Sequence, residues 1–278
     1  MSLKVGNQTP SGIYLGSNPV DKIYKGAELV WQNKPSYTEG MMSYWKFEQN
    51  GLDEVGGYDL TYGYRTGASP TPVFDQNCGV GDGARFAIED EWWDALYPEN
   101  PFSFTDGVTD KPFSFAFLFN LHTTQNYHFF LYKRNSSGNA EWNVLINRVN
   151  NPDTIIFSLF DSYGSANRLQ VVIDEQFSDV DWVGRTGHIG GIYAGDGATM
   201  KLWLDGDATL STTTEVGTYT KMLPDPILPM RVGCRNGSTS FGAGGSMDNV
   251  AIWNRALTDA EMEEVAATSL AGNNLETP

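Results

Sequence analysis

The chain is poor in the residues that build disulfide frameworks and zinc sites. Of its 278 residues, 2 are cysteine and 3 are histidine. Cys78 and Cys234 stand far apart and make no disulfide framework, so free thiols in a reducing compartment are expected. His122, His128 and His188 lack zinc-ligand spacing. Basic residues are also scarce: 18 Lys and Arg stand against 34 Asp and Glu, a net charge of −16. That sign repels duplex DNA, RNA and anionic membranes, and no nucleic-acid partner is expected. No apolar run of about eighteen residues occurs, so no membrane insertion is expected. Met1 to Gly6 carries no apolar signal region, which predicts synthesis in a cytosol without Sec-type export.

What is abundant points to β structure. Hydrophobic residues make up 40% of the chain and aromatic residues 13%, enough for a substantial core. The 30 glycines and 13 prolines are spread as turns between many strands would spread them. In "PFSFAFLFN", Phe113, Phe115, Phe117 and Phe119 share one face, a period-two pattern that no helix stripe can hold. In "EWNVLIN", Trp142, Val144 and Ile146 share a face, and "TIIFSLF" is apolar on both faces. In "TMKLWLDGD", Met200, Leu202 and Leu204 oppose Lys201 and Trp203, and Asp205-Gly206 is a hairpin turn signal.

One helix is marked. Thr258-Asp259-Ala260-Glu261 is a capping box that starts a helix at Asp259, predicted to run to about Ala267. The predicted fold is all-β: a two-sheet antiparallel sandwich with one short C-terminal helix, preceded by a small N-terminal β-meander. The expected layout is an N-terminal repeat over 1–34, a linker over 35–42, the sandwich over 43–268 and a loose tail over 269–278.

The N-terminal segment nearly repeats itself: Ile13-Tyr14-Leu15-Gly16, then Ile23-Tyr24-Lys25-Gly26, closed by Leu29-Val30-Trp31. So short a meander cannot offset its own ordering entropy. Ile13, Tyr14, Ile23, Tyr24, Val30 and Trp31 are therefore assigned as an assembly anchor, buried against the sandwich, another copy or a partner protein.

Four stretches, "SYWKFEQNGLDEVGGYDLT", "GARFA", "HIGGIYAGDGATMKLWLDGD" and "GSMDNVAIWNRALTDAEMEEV", resemble in order and spacing the laminin G-like jelly rolls of the concanavalin A-like lectin/glucanase superfamily. The resemblance covers roughly residues 43–266 and implies a jelly roll. It also implies one structural calcium between the opening turn and the closing strand, where Asp53 and Asp248 match. Relatives that hydrolyse β-glucans carry two Glu around an Asp on one strand. "AIEDEWWD" offers Glu89, Asp90, Glu91 and Asp94 but lacks the further Glu, so no catalytic residue and no enzyme activity are assigned.

Glycan binding needs exposed aromatics with polar neighbours. Trp92, Trp93 and Tyr97 in one segment, with Tyr163 and Arg168 in a second, are the candidates. In a strand Trp92 and Trp93 face opposite ways, so at least one belongs to the core. The opening repeat resembles a short repeat at the start of bacteriophage tail, neck and fibre proteins. That implies a virion protein made in the bacterial cytosol, docked to other virion proteins by residues 1–34. Its jelly roll would project outward toward host-surface polysaccharide, and a homo-oligomer, as a trimer, is the expected state. The alternatives are a lectin module outside a virion and, behind it, a glycan hydrolase.

Overall fold

The computed structural model describes residues 14–15, 18–19, 22–25, 28–32, 35–64, 71–75, 78–86, 91–124, 126–134, 140–149, 154–161, 167–174, 183–208, 211–224, 229–234 and 243–275. Two antiparallel sheets face each other. The seven-stranded sheet runs in the order Met200–Leu204, Thr186–Tyr193, Phe113–Leu121, Gly245–Trp253, Gly83–Phe86, Val73–Asp75, with Met41–Trp45 also paired to Gly245–Trp253. The eight-stranded sheet runs Ser211–Val216, Arg168–Asp174, Thr154–Phe160, Ala140–Asn147, Tyr127–Arg134, Met230–Val232, Glu91–Ala95, Thr61–Tyr64. This is the predicted two-sheet sandwich.

Alternation sets what lies between the sheets. Phe113, Phe115, Phe117 and Phe119 meet Trp142, Val144, Ile146, Ile155, Phe157 and Leu159 there, all buried. Phe115 packs edge-on to Phe157 at 4.9 Å between ring centroids. Ala116 and Trp203 point the other way and lie under the C-terminal helix with Trp253, Met262 and Val265. Gly190 leaves room for that helix, because a Cβ there would stand 2.3 Å from the Met262 sulfur. The Asp205-Gly206 turn has φ of 53° and 86°, the left-handed pair that a tight hairpin requires.

The capping box forms as expected: Glu261 N–H donates to Thr258 Oγ1 and Thr258 N–H to Glu261 Oε2. The helix, α1, spans Asp259–Leu270, three residues past the expected end. It closes where Gly272 turns left-handed (φ 76°), with Gly272 N–H on Ser269 O and Asn273 N–H on Thr268 O.

Two boundaries differ from expectation. Residues 35–42 are not a linker. Tyr37, Thr38 and Met41 are buried, and Trp253 Nε1 donates to Tyr37 O. Arg255 also holds this stretch, with Nε on Glu39 O and Nη2 on Ser36 O. The tail is not loose as far as residue 275, since Leu275 is buried and its N–H donates to the Tyr44 phenol at 2.9 Å.

The opening repeat forms two hairpins, Tyr14–Leu15 with Asn18–Pro19 and Lys22–Lys25 with Glu28–Gln32. Tyr14, Ile23, Tyr24, Val30 and Trp31 fall in these strands, and Ile13 lies outside the described residues. Among the described residues neither hairpin joins a sandwich sheet. No helix of the described residues is long and apolar enough to cross a membrane.

Candidate functional site

Strand Glu91–Ala95 presents opposite faces to core and exterior. Trp93 points inward and is buried against Phe47, Tyr62 and Phe74. It is therefore a core residue and not a glycan contact, correcting that part of the expectation. Trp92 and Asp94 point outward. Trp92 Nε1 donates to Asp94 Oδ2 at 2.9 Å. Arg231, on the neighbouring strand, grips the same carboxylate with Nε on Oδ1 at 2.6 Å and Nη2 on Oδ2 at 3.1 Å. Its guanidinium carbon stands 4.7 Å from the indole centroid. The indole packs down on the edge strand because residue 63 is glycine; a Cβ there would lie 2.3 Å from Nε1. Burial pushes the Asp94 carboxyl above its ordinary value, opposed by the Arg231 charge and by hydrogen bonds from Arg231 and Trp92.

The register extends this cluster into a row. Thr61 pairs with Asp94, Asp94 with Arg231, Arg231 with Tyr132, Tyr132 with Asn143, Asn143 with Ser158, Ser158 with Gln170 and Gln170 with Thr214. Their chain neighbours Trp93, Leu131, Val144, Phe157 and Val171 fill the core, so the row lies on the outer face. At about 4.8 Å per strand it spans about 34 Å. Its hydroxyls, amides, carboxylate and guanidinium are the groups that can hydrogen-bond a polyhydroxylated chain. The middle residues Tyr132, Asn143 and Ser158 are buried, whereas Trp92 and Arg231 are half-buried and Thr61 exposed. The accessible part is the Trp92 end.

The family described as the concanavalin A-like lectin/glucanases superfamily matches residues 99–263, more than half of the chain. The chain belongs to this superfamily. Solved structures agree on the fold of this concanavalin A-like domain. The botulinum neurotoxin serotype D binding domain superposes with a TM-score of 0.56 at 11% identity, over 83% of this chain and 52% of the other. The serotype D ligand binding domain in complex with N-acetylneuraminic acid gives 0.55 at 12%, over 83% and 51%. The receptor binding domain of the C/D mosaic serotype gives 0.56 at 11%, over 83% and 51%. The chain spans about half the length of these neighbours. No curated protein matches the sequence.

The other expected site residues of this concanavalin A-like domain do not converge on Trp92. Tyr97 packs edge-on to Tyr58 at 5.1 Å, and its hydroxyl donates to the backbone oxygens of Asp59 and Gly57. Arg168, with Nε on Gln170 Oε1 at 2.7 Å, lies on the outer face five strands from Trp92, about 24 Å away. Tyr163, Glu89 and Asp90 lie outside the described residues. Glu91 points inward toward the Tyr62 phenol, while Asp94 is ion-paired on the opposite face, so these two carboxylates share no cleft.

Asp53 and Asp248, the residues matched to the calcium site, both have their carboxylates engaged by backbone N–H groups. Asp53 Oδ1 accepts the N–H of Tyr44 and Val55, and its Oδ2 that of Tyr58, which closes the 53–58 turn. Asp248 accepts from Val80 and Asn249 N–H groups. Burial pushes its carboxyl up to about 8, and the nearby carboxylates Glu48 and Asp82 add to this. Calcium takes about six to eight oxygens around one point, and among the described residues no three His, Cys, Asp or Glu side chains are grouped to hold a metal.

Sequence reasoning missed Arg231. The available signal was its place between Met230 and Val232, both inward-facing, which turns a charged side chain outward in a strand.

Proposed function

We propose that the sandwich is a non-enzymatic carbohydrate-binding module that recognises its ligand at Trp92, Asp94 and Arg231. The observation that carries this reading is the partly exposed indole and guanidinium joined to a buried carboxylate on the outer face of a lectin-like sandwich. Such a cluster sets an indole and the guanidinium that lies over it beside fixed hydrogen-bonding groups, the kind of combination that pyranose faces require. A fold neighbour, the serotype D ligand binding domain, was solved with N-acetylneuraminic acid bound. A glycan array on the full chain tests the reading. Binding that Trp92→Ala or Arg231→Ala removes supports it, and an array without hits refutes it.

In its finer form the proposal makes the protein a bacteriophage virion component. Residues 1–34 dock to other virion proteins or to further copies, and the jelly roll projects outward. The repeated Ile-Tyr-x-Gly phrase supports this, as do two hairpins that, among the described residues, pair with neither sheet. Deleting residues 1–34 should abolish incorporation into particles while leaving the sandwich folded. Light scattering on the full and shortened chains checks the expected homo-oligomer. Incorporation of the shortened chain would overturn the docking role of residues 1–34.

A further inference from the structure

We infer that Asp94 makes the Trp92 site selective for neutral glycans and excludes sugar acids and sulfated sugars. This rests on the carbohydrate-binding reading and goes beyond it by naming the ligand class.

An arginine beside a tryptophan ordinarily invites an anion, because the guanidinium fork matches a carboxylate or a sulfate in two parallel hydrogen bonds. Here that fork is already engaged. Arg231 Nε and Nη2 both end on Asp94, at 2.6 and 3.1 Å. The second oxygen of Asp94 also takes the indole N–H of Trp92, so carboxylate, guanidinium and indole form one closed unit. An incoming carboxylate would have to displace Asp94 from Arg231. It would leave Asp94, itself buried, with the Trp92 N–H in place of a cation, and breaking a buried pair from one side is strongly unfavourable.

What the unit still offers suits neutral hydroxyls. Asp94 keeps acceptor capacity, since two carboxylate oxygens have about four lone-pair positions and three are used. Thr61, exposed on the edge strand and paired in register with Asp94, adds a hydroxyl that donates and accepts. The indole and the guanidinium plane supply the stacking surface. At longer range the net charge of −16 opposes the approach of any polyanion.

The test uses the full chain, a neutral hexasaccharide such as maltohexaose or cellohexaose, and an N-acetylneuraminic acid-terminated oligosaccharide of similar length. Each is titrated at low and at high sodium chloride, on wild type and on Asp94→Asn. Wild type should bind a neutral glycan with an affinity that salt hardly changes, and should not bind the acidic one. Asp94→Asn removes the negative charge that faces the guanidinium and should raise affinity for the acidic glycan by about tenfold or more, in a salt-sensitive way. Wild type that prefers the acidic glycan, with affinity falling as salt rises, overturns the inference and leaves the carbohydrate-binding reading standing. Absence of binding to any glycan overturns both. If Asp94→Asn does not fold, the salt series on wild type decides alone.

Discussion

The phenol of Tyr44 accepts the backbone N–H of Leu275 at 2.9 Å, so the strand that opens the sandwich holds the segment that follows its last helix. The same hydroxyl lies against Asn249 Oδ1 and Asn274 Oδ1, and Asn249 Nδ2 donates to Asn273 O. The opening strand, the closing strand and residues 273–275 thus meet at one buried phenol. Deleting residues 273–278 removes the bonds that Leu275 and Asn274 make to that phenol and that Asn273 makes to Asn249, and uncovers the site of a fully buried leucine. We expect a loss on the order of 3 kcal/mol, from leucine burial plus the lost hydrogen bonds. Urea unfolding of the shortened chain checks this, and an unchanged midpoint would mean that the latch contributes nothing.

The parts of the fold that were legible in the sequence are those set by local period. Phenylalanines at every second position from 113 to 119 can face one side only in a strand, and Thr258 to Glu261 can cap only a helix start. Residues 35–42 were misread because what buries them comes from far away: Tyr37 is held by Trp253, and Glu39 by Arg255, each 216 positions on. The expected helix end fell three residues short of Leu270, and Leu275 gave no sign that a tyrosine 231 positions earlier would receive it. The site divides in the same way. Alternation put Trp92 and Trp93 on opposite faces, whereas the Asp94–Arg231 pair joins residues 137 apart through strand register that no local pattern encodes.

The two adjacent tryptophans should respond oppositely to truncation. Trp93 is buried among Phe47, Tyr62 and Phe74, so Trp93→Ala leaves a large cavity and should cost about 3–5 kcal/mol. Trp92 rests half-buried on Gly63, and Trp92→Ala should cost about 1 kcal/mol while removing glycan binding. Denaturation midpoints of both variants, set beside their binding isotherms, separate packing from recognition.

Arg255 should matter more than a surface arginine. It meets Glu261 with Nη1 on Oε2 at 2.9 Å and Nη2 on Oε1 at 2.8 Å, while its other hydrogen bonds hold Ser36 and Glu39. Hydrogen bonds from Arg255 lower the Glu261 carboxyl from 4.5 to about 2. A carboxylate depressed on folding stabilises above its unfolded value, and that contribution is lost as pH falls from 4.5 through about 2. Arg255→Ala should cost about 2 kcal/mol at neutral pH, the scale of a charge-assisted hydrogen-bond pair. It should also flatten the stability profile between pH 4.5 and 2, measured by urea unfolding across that range.

His188 should contribute to the profile at milder acidity, against the opposite contribution of the raised Asp248. It is fully buried beside Leu118, and among the described residues neither ring nitrogen has a hydrogen-bond partner. Burial lowers its imidazole from 6.5 to about 3. Between those values the unfolded chain binds a proton that the folded one refuses, so stability present above pH 6.5 drains away as pH falls toward 3. His128 acts with the same sign, lowered by burial to about 4, although its Nδ1 is held by Ala243 O at 2.6 Å. Replacing an unpartnered buried imidazole by a hydrocarbon of similar size removes two unsatisfied nitrogens without breaking any bond. His188→Leu should therefore match or exceed wild-type stability at pH 7 and lose less of it at pH 4, which urea unfolding at the two pH values measures directly. An unchanged difference between them would mean that His188 gains a partner, such as a bound water, that keeps it chargeable inside the fold.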